Sequence, residues 1–401
     1  MKYVIVLGDG MAGEPLEALG DKTTLEAAVT PAMDRIAPKS EQGLARMVPA
    51  GMAPGSDTAN LSVAGYDPRK YYTGRSPLEA LSIGVDMDAS DVAFRCNIVT
   101  LSEEEGVPYE ERTILDHSSD EISTEDAAVL LGALAEGLKR EGYSFYVGTS
   151  YRHLLIWNHG KVTELTPPHD VLTRKIGAYL PKDAVLREMM EKSYEILENH
   201  PLNIERRRQG LHPANSAWFW GAGTRPALTS FAEKSGKKGV MISAVDLLKG
   251  IAVGAGMDRI LVEGANGGLH TNYEGKADAA VQALVQDGYD FAYIHVEAPD
   301  EMGHQGCMED KVQSIEWLDE KVIARVMDGL EKAGEDYRLL ILPDHPTPIC
   351  ERTHTGDPVP YLLYDSTRAV SGQDTYNEKN AKASGIMWEE GFRLVDHLLE
   401  R

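Results

Sequence analysis

Short apolar runs alternate with segments of helical periodicity over much of the chain. Tyr3–Leu7 is an apolar run that stops at glycine, typical of a buried parallel strand, and residues 31–37 start at a proline and predict a helix. In the later half, strand-like runs lie at 238–243 and 258–264, and strand-then-loop units lie at 289–304 and 337–347. Residues 309–334 carry apolar positions at helical spacing and predict a long amphipathic helix. Strands that alternate with helices predict an α/β fold with a mostly parallel sheet flanked by helices.

The middle of the chain follows a different pattern. Residues 91–101 and 153–165 alternate apolar and polar positions, as half-buried strands do, and the second segment contains an Asn-His-Gly-Lys turn. A helix is predicted between them, over 124–142. This small α+β pattern predicts a domain of its own.

The length of the chain agrees with two domains. At 401 residues it exceeds the size that one hydrophobic core usually serves. We place the inserted α+β domain at 88–236 and the α/β domain at 1–87 and 237–401. An insertion of this kind would suit a cap over a site built by the α/β domain.

The charge balance restricts the partners. Acidic residues outnumber basic ones by 63 to 40, which gives a formal net charge of −23. Surfaces that bind nucleic acid or anionic membranes need a broad excess of lysine and arginine, so both partners are disfavoured. A small anionic substrate stays open, because a local basic cluster or a bound metal can reverse the field inside one cleft.

Three scattered cysteines indicate the redox setting. Cys96, Cys307 and Cys350 form neither a Cys-x-x-Cys pair nor a disulfide ladder, so thiols in a reducing cytoplasm are the simplest interpretation. The apolar run at the N-terminus is too short for a signal peptide, and no run approaches the roughly 20 residues of a membrane span. We therefore expect a cytoplasmic protein.

Ser56 allows two interpretations. Pro54 and Gly55 form a turn, and Ser56 and Asp57 then open a predicted helix. Serine is a common helix N-cap, because its hydroxyl accepts a hydrogen bond from an unpaired N–H group of the first turn. This stretch alone favours the N-cap, and the alternative is the nucleophile of an enzyme.

Carboxylates and imidazoles follow three of the predicted strands. Six such residues lie in strand-end loops: Asp9, Asp300, His304, Asp344, His345 and His354. Ligands of parallel α/β sheets bind at the carboxyl ends of the strands, where these residues lie. Alone, each aspartate could cap a helix and each histidine could be a core or surface residue. Together they form a donor set that suits Mn²⁺, Zn²⁺ or Mg²⁺.

Several motifs resemble the alkaline-phosphatase superfamily: GDGMA after the first strand, PGSD at a helix start, APDEMGH, LPDHPT and HTGDPVP. The resemblance extends over almost the whole chain through KTTLEAAVTPAMDRIA, GYDPRKYYTGRSPLEA, AFRCNIVTL, SYRHLLIW and HPANSAWFWGAG. In this ordered set the chain is similar to cofactor-independent phosphoglycerate mutases, in their short archaeal-type branch. The resemblance implies an alkaline-phosphatase-like α/β fold with an inserted α+β cap domain.

The family pattern implies two divalent metal ions and no 2,3-bisphosphoglycerate. Mn²⁺ is the first choice, with Zn²⁺, Co²⁺ or Mg²⁺ as alternatives. One ion would be held by Asp300, His304 and His354, and the other by Asp9, Asp344, His345 and the Ser56 oxygen. A divalent cation lowers the pKa of a serine that touches it, so the nucleophile becomes the favoured interpretation of Ser56. A helix N-terminus favours phosphate as well, so the two roles are compatible.

The resemblance also implies a reaction of glycolysis and gluconeogenesis, the interconversion of 3-phosphoglycerate and 2-phosphoglycerate. Ser56 would take the phosphoryl group from 3-phosphoglycerate. The trapped glycerate would reorient and take the group back on its 2-hydroxyl. Water must be excluded, since it would hydrolyse the phosphoserine, and a closing cap domain would exclude it.

A substrate that carries a phosphate and a carboxylate predicts arginines on the cap. Arg206 stands in a run with Arg207 and Arg208, which could equally be a solvated helix end. Arg95 is a stronger candidate for substrate binding, because it interrupts an apolar strand. His153 and Lys249 are further candidates for substrate binding, although Lys249 could be an ordinary lysine on an amphipathic helix.

The sequence departs from the longer bacterial form of the family. That form has Asn-Ser-Glu around its serine and a histidine shortly after, whereas Gly55 and Asp57 flank Ser56 here and Asn60 stands near the place of that histidine.

Three other functions stay open. Some bacterial relatives of the branch are proposed homoserine kinases, although no G-x-x-x-x-G-K-[ST] loop is present here. A leaky cap would give a phosphatase. A non-catalytic binding protein would have lost ligands, yet all seven positions are filled.

Overall fold

The computed structural model describes residues 1–400 and divides the chain into two units. Unit 1 comprises residues 1–72 and the chain from 228 onward, and unit 2 comprises residues 73–227. The predicted domain boundaries at 88 and 236 therefore need correction.

The packing of residues near the two boundaries explains why the observed boundaries differ from the predicted ones. Ala80, which precedes position 88, packs with Leu154 and Ile156 of unit 2 in one apolar cluster. Phe231, which precedes position 236, packs its ring 4.6 Å from the ring of Phe291 in unit 1.

Thirteen strands form the two sheets. In chain order they are β1 (Lys2–Gly8), β2 (Glu41–Ala45), β3 (Val92–Leu101), β4 (Ile114–Asp116), β5 (Tyr143–Thr149), β6 (Arg152–Trp157), β7 (Ser216–Thr224), β8 (Gly239–Ile242), β9 (Asp258–Ile260), β10 (Phe291–Val296), β11 (Tyr337–Leu342), β12 (Val359–Asp365) and β13 (Met387–Trp388).

Sixteen α-helices accompany them within residues 1–400. They are α1 (Thr24–Ala27), α2 (Pro31–Ile36), α3 (Ser56–Val63), α4 (Pro68–Tyr71), α5 (Arg75–Ser82), α6 (Thr124–Gly137), α7 (Ala184–Leu197), α8 (Pro201–Arg208), α9 (Phe231–Ser235), α10 (Asp246–Gly254), α11 (Tyr273–Val285), α12 (Ala298–Gln305), α13 (Met308–Trp317), α14 (Ala324–Lys332), α15 (Glu378–Ala383) and α16 (Leu394–Leu398).

The sheet of unit 1 confirms the predicted α/β fold class. Its order is β13-β2-β12-β11-β1-β10-β8-β9, and the strands from β11 to β9 run parallel, while β12 is antiparallel to both of its neighbours. β1, β10 and β11 are apolar over most of their length because helices α2, α11, α13 and α14 pack their buried side chains into the same core.

The long helix predicted at 309–334 is present, but a π-helical segment, Leu318–Ile323, separates α13 from α14. Asp319 in that segment accepts hydrogen bonds from the backbone N–H groups of Ala32 and Met33. The side chain thus caps the start of α2, which has no side-chain cap of its own.

Unit 2 is the predicted α+β unit. β4-β3-β6-β5 form an antiparallel sheet in which β7 also pairs with β3, and α6 and α7 pack against one face. The strand predicted at 153–165 is wrong in its second half, because β6 ends at Trp157. β6 forms a hairpin with the preceding strand β5, and Tyr143 and Phe145 of β5 pack against the core that the helices cover.

Within residues 1–400, no helix combines the length and the apolar character that crossing a membrane requires.

Candidate active site

The carboxyl ends of three neighbouring strands supply the aspartates of the candidate site. β1 lies between β10 and β11 and runs parallel to both. Asp9 directly follows β1, Asp300 lies in α12 shortly after β10, and Asp344 lies shortly after β11. Because parallel strands end at the same edge of the sheet, residues far apart in sequence meet here.

Asp9, Asp344 and His345 form the inner group, which is buried. One ligand atom from each residue lies within 4.8 Å of the others. His345 Nε2 is 3.5 Å from Asp9 Oδ1 and 3.3 Å from Asp344 Oδ2. Burial, together with the negative charges of Asp344 and Asp300, raises the pKa of Asp9 well above its usual value. Carboxylates held this close in a buried site favour a bound cation.

Asp300, His304 and His354 form the outer group, in which both histidines are partly exposed. Asp300 Oδ2 is 3.2 Å from His304 Nε2, and Asp300 Oδ1 is 3.4 Å from His354 Nε2. Burial opposes ionisation of Asp300, but hydrogen bonds with the two histidines outweigh it and hold the pKa of Asp300 well below its usual value. The hydrogen bond with Asp300 raises the pKa of His304 to about 9.

Both groups fit divalent cations. Asp9 Oδ1 is buried, and no hydrogen bond reaches it within residues 1–400. In the outer group, the Nε2 atoms of His304 and His354 lie 2.9 Å apart beside one carboxylate, so three donor atoms converge on one point. Carboxylate oxygens and imidazole nitrogens are ligands of Mn²⁺ and Zn²⁺. The structure brings the ligands together in the two sets that the family pattern implies, and metal binding itself stays a prediction.

Ser56 is the first residue of α3 and does not cap it. Gly55 occupies the N-cap position with no side-chain cap, so the N-cap interpretation is wrong. The Ser56 hydroxyl instead lies 3.1 Å from His345 Nε2. It is therefore free of a capping role and stands at a helix N-terminus beside the inner group, where an anion is favoured.

Gly10 explains why glycine follows Asp9 in the GDG motif. Its φ is +59°, a conformation that residues with a side chain rarely adopt. A Cβ atom there would lie 2.6 Å from Asp300 Oδ1 and 2.5 Å from Thr347 Oγ1. The bare backbone lets the loops of the two groups approach each other, and its N–H donates to Asp344 Oδ1 at 3.2 Å.

Asn60 holds Asp344 of the inner group, a role that the sequence analysis did not assign. Its amide donates to Asp344 Oδ2 at 2.7 Å and to the Ser56 carbonyl at 2.9 Å. The amide oxygen accepts from the Tyr293 hydroxyl at 2.7 Å, which fixes the orientation of the amide. The only signal in the sequence was that Asn60 stands where the longer form has a histidine.

Two further partners were also missed. His295 lies between Asp9 and Ser243, and burial, assisted by the charge of Lys276, holds the pKa of His295 well below its usual value. A histidine inside the apolar run of β10 was a signal available in the sequence. Thr347 donates its hydroxyl to Asp300 of the outer group, and no pattern pointed to it.

Arg95 lies in β3 of unit 2 and is buried. Its Nε is 3.0 Å from Glu79 Oε2, and its guanidinium lies over the ring of Trp220, 4.5 Å from the centroid. Asn97, on the same face of β3, accepts a hydrogen bond from the Trp220 ring N–H. Arg152 pairs directly with Asn97 in the sheet, so it belongs to this face and is exposed there.

His153 is on the other face of the same sheet, so it cannot line a site with Arg95. It pairs directly with Cys96, whose side chain lies in the core that the helices cover. Burial lowers the pKa of His153 to about 4. His153 therefore does not share a face with Arg95, and its role in substrate binding stays a prediction.

The guanidinium of Arg206 makes hydrogen bonds within unit 2. It is buried, and it donates to the carbonyls of His212 at 2.9 Å and Ser119 at 2.6 Å. These bonds tie two loops to α8, which is a structural role in place of the predicted substrate contact. In the same run, Arg207 pairs with Glu103 and Arg208 with Glu205.

Lys249 lies in α10 of unit 1, where its ammonium group is 3.1 Å from Asp246 Oδ1. Its role in substrate binding stays a prediction.

A third set of possible ligands, Asp116, Asp120 and His212, lies in unit 2. Hydrogen bonds inside the set and from neighbouring N–H groups already occupy it: His212 Nδ1 is 2.8 Å from Asp120 Oδ1, and Ser118 N donates to Asp116. Unlike the inner group, the set is largely exposed, and it has no counterpart among the motifs.

Comparisons with known proteins agree with the motifs. The family model for 2,3-bisphosphoglycerate-independent phosphoglycerate mutase matches residues 37–203. A Methanosarcina mazei protein of that name is 48% identical over 406 aligned residues, which cover all of both chains. A Geobacter sulfurreducens protein named as a probable member is also 48% identical, again over all of both chains. The chain belongs to the 2,3-bisphosphoglycerate-independent phosphoglycerate mutase family.

A solved structure extends the agreement to the fold. The cofactor-independent phosphoglycerate mutase from Thermoplasma acidophilum has a TM-score of 0.65 and 25% identity, and the match covers 100% of this chain and 99% of the other. The resemblance read from the motifs is confirmed at the level of the family.

Proposed function

We propose that the protein interconverts 3-phosphoglycerate and 2-phosphoglycerate and that Ser56 carries the phosphoryl group between the two positions. The observation that carries this proposal is the Ser56 hydroxyl, which has no capping role and lies 3.1 Å from His345 of the inner group. Membership of the mutase family supports the same reaction. An acceptor in the enzyme itself explains why no 2,3-bisphosphoglycerate would be needed.

The inner and outer groups would each hold one divalent cation, with Mn²⁺ as the first choice. When bound, such ions withdraw charge from the phosphoryl oxygens and from the entering and leaving oxygens. The residues of the chain hold the ligands in place for this chemistry. Asn60 fixes Asp344, and the carbonyl of Arg352 fixes the ring of His304 by accepting a hydrogen bond from Nδ1 at 3.0 Å.

The transfer itself consists of two matched displacements. The Ser56 oxygen forms a bond to phosphorus while the bond from phosphorus to the 3-oxygen of glycerate breaks, and the serine proton ends on the released 3-hydroxyl. The 2-hydroxyl oxygen of the retained glycerate then forms a bond to phosphorus while the bond from phosphorus to the Ser56 oxygen breaks, and the proton of the 2-hydroxyl ends on Ser56. The N-terminus of α3 stabilises the phosphoryl group in both steps.

Arginine side chains would bind the carboxylate of the substrate. Arg95 stays the candidate from the sequence, and Arg152 joins it because it is exposed on the same face of the sheet. Arg206 is a weaker candidate because its guanidinium donates to two backbone carbonyls, and His153 is a weaker one because it lies on the opposite face of the sheet from Arg95. The free thiols of the described cysteines agree with a reducing cytoplasm, which we propose as the location.

The test is direct. Purified protein is incubated with Mn²⁺ and 3-phosphoglycerate, without 2,3-bisphosphoglycerate, and phosphorus NMR follows the products. Formation of 2-phosphoglycerate with little free phosphate is expected. Free phosphate as the main product would instead indicate a phosphatase. No reaction would contradict the proposal and favour transfer to another hydroxyl compound such as homoserine, to be tested with candidate phosphoryl donors.

A further inference from the structure

His295 is a fully buried histidine that makes polar contacts with both ring nitrogens. It lies in β10, where it pairs with Leu7 of β1, and its carbonyl accepts a hydrogen bond from Lys276 at 3.0 Å. Nε2 is 2.8 Å from Asp9 Oδ2, and Nδ1 is 3.0 Å from the Ser243 hydroxyl. The ring is therefore held between one residue of the inner group and the loop after β8.

The partners determine which nitrogen carries the proton. A carboxylate that binds a cation is ionised and only accepts hydrogen bonds, so in the metal-bound protein Nε2 must donate to Asp9. The Ser243 oxygen accepts from the N–H of Val245 at 3.0 Å and can donate its own hydrogen to Nδ1. A neutral ring protonated at Nε2 satisfies every one of these groups with a single proton.

This arrangement distinguishes the two oxygens of Asp9. Oδ2 is occupied by His295, whereas Oδ1 is buried, has no hydrogen-bond donor within residues 1–400 and lies 3.5 Å from His345 Nε2. We propose that His295 is a positioning residue that makes Oδ1 the metal-binding oxygen of Asp9, with Ser243 holding the required tautomer. The inference rests on the proposed metal ions of the inner and outer groups.

Three substitutions separate a hydrogen-bonding role from a space-filling role. Gln places its amide nitrogen near the position of Nε2, so His295→Gln keeps a donor for Asp9. Asn reaches only the position of Nδ1, so His295→Asn loses that donor while it stays polar. His295→Leu loses both contacts. His397→Leu is the matched control, because His397 also pairs with a carboxylate, Glu41 at 3.1 Å, and lies in unit 1 outside both groups.

The measurement is calorimetric titration of metal-free protein with Mn²⁺. Wild type should bind two ions, and the inner ion should bind about 10- to 100-fold more weakly in His295→Leu and His295→Asn. His295→Gln should stay within about fivefold of wild type, as should the control. Thermal unfolding of each metal-free variant checks its folding, and if the Leu variant does not fold, the Gln and Asn variants decide.

The outcomes are distinct. Wild type that does not bind two ions would overturn the proposed function itself. Two ions in wild type with unchanged affinity in all variants would overturn the role of His295, and so would equal losses in the Gln and Asn variants. Nitrogen-15 NMR of the histidine rings in the protein loaded with diamagnetic Zn²⁺ gives a second readout. The Nε2-protonated tautomer is expected for His295, with a mixture in Ser243→Ala, and an Nδ1-protonated ring in wild type would contradict the inference.

Discussion

The inner and outer groups use the same kinds of ligand in different surroundings. The inner group is buried, and each of its carboxylates is held by an uncharged side chain, Asp9 by His295 and Asp344 by Asn60. In the outer group the side chains of both histidines are partly exposed, by 35% at His304. The inner group is thus held rigidly beside Ser56, the proposed nucleophile, whereas solvent can reach the proposed ligands of the outer group.

The largest effect is expected from the loss of Ser56, the proposed nucleophile beside the inner group. Ser56→Ala should lower turnover at least about 10³-fold, because no other hydroxyl can replace the acceptor of the phosphoryl group. The outer ion should bind as in wild type. Ser62→Ala is the control, since Ser62 lies in the same helix and only bonds the Met47 carbonyl. Turnover of Ser56→Ala near that of the control would exclude the serine shuttle.

The second prediction compares the partners that hold one aspartate of each group. Asn60→Leu removes the bond to Asp344 in a buried site, so kcat should fall about 10- to 100-fold. Thr347→Val removes a bond to Asp300 that is also buried, but His304 and His354 still contact this carboxylate, so the loss should be several-fold smaller. Steady-state kinetics at saturating Mn²⁺ measures both. Equal losses would show that the two histidines do not hold Asp300 in place when Thr347 is lost.

The rates at which the two ions are removed test the difference in burial between the inner and outer groups. Excess EDTA should remove bound Mn²⁺ in two phases, and the slower phase should be about tenfold or more slower because burial restricts access to the inner group. His304→Ala should abolish the fast phase and leave the slow one. Water-proton relaxation follows the release of the ion. A His304→Ala protein that loses only the slow phase would reverse the assignment of the phases.

How far the sequence predicts these features differs between the units. In unit 1 the aspartates were predictable, because short apolar strands each ended in an Asp-containing motif and parallel strands end at one edge. Asn60 and His295 were not assigned, because their partners Asp344 and Asp9 are distant in sequence and only the folded chain brings them together.

In unit 2 the same reasoning was less successful. Arg206 and the exposed Arg208 look alike in the sequence, yet only the fold shows that Arg206 donates to two backbone carbonyls. His153 and Arg152 are neighbours, and the face of the strand that each one occupies depends on register. The boundary at 88 was misplaced because helix α5 carries an apolar side whose packing partners the sequence does not identify.

The smallest effect is expected where the backbone alone acts on the outer group. Arg352 has a φ of +54°, and its carbonyl orients His304. Arg352→Gly keeps that carbonyl and relieves the left-handed conformation, so Mn²⁺ affinity should stay within about threefold of wild type. Arg352→Val is the matched variant: a β-branched residue is disfavoured at this φ, so the loop should shift and the outer ion should bind several-fold more weakly. Calorimetric titration compares the Mn²⁺ affinities of the two variants. If the Gly variant loses as much affinity as the Val variant, the Arg352 side chain, and not its carbonyl, holds the outer group in place.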